Sequence, residues 1–377
     1  MLIGIDGSRA FMKNRTGIEE YSYQVIKNLR NSFQKEKVFL YTRKNQKIDF
    51  DLPEKWEIRV IKWPRFWTQI GLSLEILSHP VDVLFVPAHT VPIIHPEKTV
   101  VTIHGLEYEF CPKAYSFWER IYMRVSIKNS CRWASKIIAV SKNTKKDLVN
   151  LYGINSGKIA IIYNGFSSHR FCSRLILGTS VISHQEIEMS NKDDDRSLMT
   201  DDKHLLFIGR IEERKNISNI VKAFEILKEE YKIPHKLILA GKPGYGYEKI
   251  KDQILYSRSA HDILELGFVS EEEKWELLKK AEVFVFPTQY EGFGIPILEA
   301  QSVGTSVVAS RNSSIPEVVG GSALLVDPEN SQEVAEAINK IISNETLKDD
   351  IIAKGLDNIK RFSWEKCASY IAKLLID

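Results

Sequence analysis

Short apolar runs alternate with longer amphipathic segments along almost the whole chain; the alternation lapses after residue 167 and restarts at 204. The runs are strand-sized and the intervening segments helix-sized, so their exchange predicts parallel sheets covered by helices on both faces. In the first half, residues 2–6, 38–42, 82–86, 100–104, 136–140 and 159–163 read as strands, with helices over 17–31, 67–77, 117–134 and 143–151. In the second half, strands fall at 205–209, 237–240, 283–287 and 306–309, and helices at 216–230, 271–280, 295–303, 331–342 and 347–360. One hydrophobic core seldom grows past about 250 residues, so 377 residues with 44% hydrophobic side chains predict two. The expected division is a domain at 1–168, a linker at 169–203, a domain at 204–360 and a helix in 361–377 that crosses back to the first domain. No repeat of solenoid length interrupts this scheme.

Composition removes several function classes. Fifty-two basic against forty-nine acidic side chains leave +3, which gives no net-charge argument for a nucleic-acid partner. Cys111, Cys131, Cys172 and Cys367 lie far apart with no CxxC pair, which suits a reducing compartment and argues against a zinc site or a disulfide framework. The opening MLIGIDGSRA reads as strand and turn rather than a signal peptide, and no window is long and apolar enough to span a membrane. The stretch SNKDDDRSLMTDDK, with its run Asp193–Asp195, reads as a solvated linker rather than a metal site.

Two stretches carry chemistry. Glu291-Gly-Phe-Gly-Ile-Pro-Ile-Leu-Glu299 follows the buried strand VFVFP and opens a helix. Gly292 and Gly294 let backbone approach a ligand, Pro296 suits a first helical turn, and free N–H groups there face an anion such as a diphosphate. The bland alternative is a plain turn followed by a surface glutamate. The second stretch, Leu205-Leu-Phe-Ile-Gly-Arg-Ile-Glu-Glu-Arg-Lys-Asn216, sets Arg210 and Lys215 at the carboxyl edge of a strand. Open α/β sheets bind ligands at that edge, and a guanidinium fork with an ammonium suits a pyrophosphate. Basic residues at a helix start are otherwise simply solvated.

Taken together, the Glu-x7-Glu stretch, GRIEERKN, LILAGKPG and GFVSEEE resemble the family-4 retaining glycosyltransferases of the GT-B fold, the group 1 glycosyltransferases. The loop Arg15-Thr-Gly-Ile-Glu-Glu-Tyr21, VTIHGLE, AVSKNTKKDL and YNGF extend the resemblance over essentially the whole chain. It implies an α/β, GT-B architecture: two facing Rossmann-like domains with parallel sheets and a cleft between them, acceptor side first and donor side second. It further implies transfer of a hexose from a nucleotide-diphosphate sugar, GDP-mannose favoured, to a glycan or lipid-linked acceptor in surface-polysaccharide assembly. By the same resemblance Arg210 and Lys215 bind the donor diphosphate, Glu291 contacts the transferred sugar and Glu299 the ribose. Gly292, Phe293, Gly294 and Ile295 complete that donor loop, Gly267 and Phe268 receive the base, and the backbone of Gly17 approaches phosphate or sugar from across the cleft. His104, a strand-end histidine that is otherwise a structural residue, is similar to one that contacts the donor sugar near the reacting carbon. No cofactor and no metal are implied, and the expected location is cytoplasmic.

Asn164-Gly165 either lines the cleft or makes a turn. Between Lys113 and Lys146 the only acidic side chain is Glu119, and Arg120, Arg124, Lys128 and Arg132 recur every four residues on the predicted helix, among Phe117, Trp118, Tyr122 and Trp133. That stripe is either a solvated face or a surface for anionic lipid or a lipid-diphosphate acceptor, at the inner face of a membrane. Other classes fit less well. The glycines of Gly241-Lys-Pro-Gly-Tyr-Gly246 lack the GxGxxG spacing of a dinucleotide site. A non-catalytic nucleotide-sugar-binding protein, or a GT-B-fold epimerase or phosphorylase, is the standing alternative.

Overall fold

A computed structural model describes residues 1–13, 15–167 and 203–377. The acidic run and all but the last residue of the expected linker lie outside the described residues. The chain forms two compact units. One comprises Met1–Ser167, Tyr290–Ile295 and Arg361–Asp377, and the other holds residues 203–289 and Pro296–Lys360.

In the first unit, strands β1 (Leu2–Asp6), β2 (Lys37–Arg43), β3 (Trp56–Ile61), β4 (Val83–Val86), β5 (Lys98–Ile103), β6 (Lys136–Ala139) and β7 (Ile159–Ile161) form one sheet in the order β3-β2-β1-β4-β5-β6-β7. Every neighbouring pair is parallel. The second unit repeats the scheme with β8 (His204–Ile208), β9 (Lys236–Ala240), β10 (Ile263–Gly267), β11 (Ala281–Phe286), β12 (Ser306–Ser310) and β13 (Leu324–Val326), ordered β10-β9-β8-β11-β12-β13. The winding reverses between β1 and β4 in one sheet and between β8 and β11 in the other. At such a reversal the connections leave to opposite faces, so a crevice opens beyond the strand ends.

The central strands are buried on both faces, as helices on both sides require: VLFV of β4 and AEVFVF of β11 are buried throughout. Local signals fix the helix limits. The helix Lys142–Tyr152 opens where the Ser141 side chain accepts the Thr144 N–H at 3.0 Å and closes on Gly153 at φ 63°. The predicted helix at 67–77 is one π-turn, Trp67–Leu72, running into an α-helix, Ser73–Ser78.

The helix Trp364–Ile376 packs on the helix Gly17–Ser32 within the first unit. The Trp364 and Tyr21 rings meet at 6.0 Å, and a Cβ on Gly165 would lie 2.3 Å from the Trp364 nitrogen. Gly165 is thereby a close-approach glycine. Tyr290–Ile295 differs from the sequence reading, which left it within 204–360; it groups with the first unit because its aromatic side chains anchor there. Tyr290 stacks on Phe110 at 4.5 Å, and Phe293 meets Tyr163 at 6.1 Å and Phe362 at 5.5 Å. Among the described residues, no helix is long and apolar enough to cross a membrane.

Candidate active site

In the first unit, candidate residues collect beyond the carboxyl ends of β1, β4 and β5. His104 follows β5 and is buried. Its Nε2 lies 2.8 Å from the Pro87 carbonyl, which can only accept, so Nε2 carries the proton and Nδ1 the lone pair. Tyr21, from the helix that starts at Gly17, sets its ring edge-on to His104 at 4.6 Å and places its hydroxyl 3.2 Å from Thr102 Oγ1. Burial pushes the His104 imidazole down to about 4, only partly countered by the Pro87 hydrogen bond and the Glu19 carboxylate. The ring is therefore neutral at physiological pH.

His89 was not singled out by the sequence. It lies 5.2 Å from His104, ring to ring, at a φ of 38°. Its buried Nδ1 has no hydrogen-bond partner. Burial, with His104 and Arg9 nearby, pushes this imidazole to about 3. A non-glycine residue at positive φ with an orphaned ring nitrogen is costly in both respects, a combination that clusters at functional sites. Its one sequence signal was its place just beyond a strand, the same place as His104. Arg9, after β1, pairs with Glu19 at 3.4 Å and completes this edge.

The loop carrying Glu291 is pinned on both sides. The Tyr290 hydroxyl donates to Asp147 Oδ2 at 2.7 Å and accepts the Leu106 N–H at 3.3 Å. Burial raises the Asp147 carboxyl, opposed by Tyr290, Lys146 and Asn143. Gly292 lies directly on the His104 backbone, where a Cβ would stand 1.7 Å from the carbonyl oxygen. Gly294, at φ 101°, turns the chain into the helix Ile295–Ser302. Glu291 is thus held next to the turn that bears His104. Gly17, by contrast, has nothing within 4 Å of its would-be Cβ.

In the second unit the loops after β8, β9 and β10 are stitched together. Gly209 N–H donates to Ala240 O at 2.9 Å, Gly241 N–H to Gly267 O at 2.7 Å, and Ile211 N–H to Lys242 O at 2.9 Å. Gly209 and Gly241 approach so closely that a Cβ on Gly241 would sit 1.7 Å from Gly209 O. Arg210 is exposed on this edge, its stem lying over Gly244. Lys215 is buried on the same loop, its ammonium 5.2 Å from the Phe286 ring centre. Asn216 follows at φ 63° and donates to the Pro287 and Pro328 carbonyls at 3.0 and 2.6 Å, fixing the turn that places Lys215. Gly267 has open space beside it, and exposed Phe268 faces the Lys242 ammonium at 4.5 Å.

Glu299 stands on a different element, facing the helix Glu271–Lys280. Lys274 Nζ donates to it at 2.8 Å and to Glu271 at 3.1 Å. Burial pulls the Lys274 ammonium down, but the Glu299 and Glu271 carboxylates outweigh it and the net shift is upward. The sequence reading missed Lys274, whose only signal was its i,i+3 spacing from Glu271. It also missed Thr288 and Ser310, buried just after or at the end of β11 and β12 with hydroxyls that lack a partner.

The structure thus gathers Gly17, His104 and Glu291–Gly294 in one unit, and Arg210, Lys215, Gly267, Phe268 and Glu299 in the other. Comparison with known proteins identifies the family. The "Glycosyl transferases group 1" family profile matches residues 189–357, and "Glycosyltransferase Family 4" matches residues 15–170. The O-antigen chain mannosyltransferase B of Escherichia coli is 29% identical over 72% of this chain and 68% of its own. The O-antigen chain mannosyltransferase RfbU of Salmonella typhimurium is 24% identical over 85% of this chain and 80% of its own. Among solved structures, Anabaena HepE in complex with UDP-glucose superposes with a TM-score of 0.70 at 18% identity, over 100% of this chain and 99% of that one. The chain therefore belongs to the family-4, group 1 glycosyltransferases, and its two parallel-sheet units are the Rossmann-like domains of the GT-B fold.

Proposed function

We propose that this glycosyltransferase moves a hexose, with retention, from a nucleotide-diphosphate sugar to a glycan or lipid-linked acceptor in surface-polysaccharide assembly. The observation that carries the reading is the pair Arg210 and Lys215 on one loop after β8, at the switch point of the sheet, two cations suited to an anionic leaving group. The difficulty of the reaction is charge: the anomeric carbon gains cationic character as a nucleoside diphosphate departs. Arg210 and Lys215 stabilise the leaving diphosphate, aided by the amides that open the helix Ile295–Ser302. Glu299, its carboxylate oriented by Lys274, holds the ribose, while Gly267 and Phe268 receive the base. Glu291 and neutral His104 hydrogen-bond the transferred sugar, and Gly17 offers backbone to phosphate or sugar. The acceptor oxygen bonds to the anomeric carbon on the face that the diphosphate vacates, and the leaving oxygen takes the acceptor's proton. GDP-mannose is the favoured donor, supported by the mannosyltransferases among the relatives.

The test is a thermal-shift panel of nucleotide sugars, followed by turnover. A donor held at 100 times its Kd adds about 2.7 kcal/mol of stability. Arg210→Ala and Lys215→Ala each cost about 2–4 kcal/mol of transition-state stabilisation, read as kcat/KM. Wild-type turnover in both variants would overturn the diphosphate assignment.

A further inference from the structure

Tyr290–Gly294 lies in no strand or helix, so the loop that bears Glu291 takes its shape from side-chain contacts. Tyr290 makes three of them at once. The face of its ring stacks on Phe110, with the planes 14° apart. Its hydroxyl accepts the Leu106 N–H at 3.3 Å, which leaves its single proton for Asp147 Oδ2 at 2.7 Å. At 3% exposure the ring has little freedom to leave this arrangement. On the other side of Glu291, Gly292 rests on the His104 carbonyl. The Glu291 backbone is therefore fixed from both sides, by a hydrogen-bonded ring before it and a close-approach glycine after it.

Asp147 is an unfavourable choice for a plain packing contact. It is 8% exposed on the helix Lys142–Tyr152, and its Oδ2 accepts from two neutral donors, the Tyr290 hydroxyl and the Asn143 amide at 2.8 Å. Among the described residues no cation is hydrogen-bonded or ion-paired to it, and Lys146, its exposed neighbour in the chain, acts on it only at a distance. A buried carboxylate without a bonded cation is poorly solvated, and an apolar pair of the same shape would pack as well or better. What the carboxylate adds is direction. A phenol-to-carboxylate hydrogen bond is shorter and stronger than a neutral one, and it holds the ring in one orientation. Such support is retained where an adjacent group has to be aimed, and the next group in the chain is Glu291.

We propose that Asp147 and Tyr290 are positioning residues for Glu291: their hydrogen bond aims the Glu291 carboxylate at the transferred sugar beside His104. Its consequence for catalysis rests on the sugar contact given to Glu291 in the proposed function.

Turnover of the full-length protein is read as release of GDP from GDP-mannose and of UDP from UDP-glucose, with Tm measured alongside. Tyr290→Phe keeps the stacked ring and removes the hydroxyl, and Asp147→Ala removes the acceptor. Each should lower kcat about tenfold, since a misplacement of about 1 Å at a reacting centre costs up to roughly a hundredfold. Thermal shift by GDP or UDP, which lack the transferred sugar, should keep its wild-type size. Asp147→Asn, whose amide oxygen still accepts, should recover part of the loss. The decisive comparison is made in Glu291→Gln. A pair that works through Glu291 has nothing left to aim there, so adding Tyr290→Phe should cost less than about twofold; a full tenfold loss in that background overturns the proposal. Wild-type kcat in both Tyr290→Phe and Asp147→Ala overturns it too, as does a fall in Tm and nucleotide binding that matches the fall in kcat. Glu291→Gln at wild-type kcat would remove Glu291 from the site and the positioning role with it. An impaired Glu291→Gln beside unimpaired Tyr290→Phe and Asp147→Ala refutes the positioning alone.

Discussion

The pair His89 and His104 gives the site its own pH signature. An imidazole in an unfolded chain titrates near 6.5, whereas burial holds His104 at about 4 and His89 at about 3. Between those limits the unfolded chain binds protons that the folded one refuses, so stability rises with pH through the window. The full contribution is present above about 6.5 and drains away as pH falls toward 4 and then 3. Urea midpoints followed by circular dichroism should therefore drop on acidification, and His89→Gln should drop less steeply over the same range. Subtracting variant from wild type isolates the imidazole from buried carboxyls such as Asp147, which act in the opposite sense. A wild-type slope in His89→Gln would mean that His89 is not buried neutral. At this scale the sequence was legible in position: it set His104, Arg210 and Lys215 at or just beyond strand ends, where they stand; their roles belong to the proposed function. It was silent on His89 and Lys274, because an orphaned ring nitrogen and an ion pair reaching 25 residues along the chain to Glu299 exist only once the elements are packed.

Strands in the middle of each sheet announce themselves, because burial on both faces makes them continuous apolar runs. The edges do not. β3 interleaves two charges in WEIRVI and leaves Glu57, Ile58 and Val60 exposed, β10 reads ILELG, and β13 has three residues; all three flank their sheets and were not anticipated from the sequence. An edge strand with one solvated face loses the apolar signal that marks its neighbours. Loops that bear the site can be tested by their glycines, which the structure separates into two kinds. Gly292 is sterically fixed, since a Cβ would stand 1.7 Å from His104 O, so Gly292→Ala should cost roughly 1–3 kcal/mol of stability along with activity. Gly17 opens a helix with nothing within 4 Å, so alanine there should leave Tm unchanged or raise stability by up to about 1 kcal/mol. A fall in kcat/KM for Gly17→Ala without loss of Tm places substrate against that backbone. Unchanged kinetics would remove Gly17 from the site.

The units do not follow chain order, since the first is completed by one segment that interrupts the second, Tyr290–Ile295, and by one that follows it, Arg361–Asp377. Its last piece, the helix Trp364–Ile376, buries Trp364, Cys367, Ala368, Ile371, Ala372 and Leu375. Trp364 covers Tyr21, and Tyr21 in turn braces His104. Burying one large apolar side chain is worth about 1.5–3 kcal/mol as an upper bound, so the helix supplies a sizeable part of a domain stability of about 5–15 kcal/mol. Removal of residues 361–377 should accordingly loosen the first unit, although most of that unit lies some 200 residues earlier in the chain. Hydrogen exchange read by mass spectrometry should show lost protection in Gly17–Ser32 and around β5, with β8, β9 and β11 retaining theirs. Nucleotide-sugar binding, carried mainly by the second unit in the proposed function, should weaken less than turnover. Equal deprotection of both sheets would mean that the two units unfold together, and uniform protection would mean that the terminal helix contributes nothing to the packing of Tyr21 and His104.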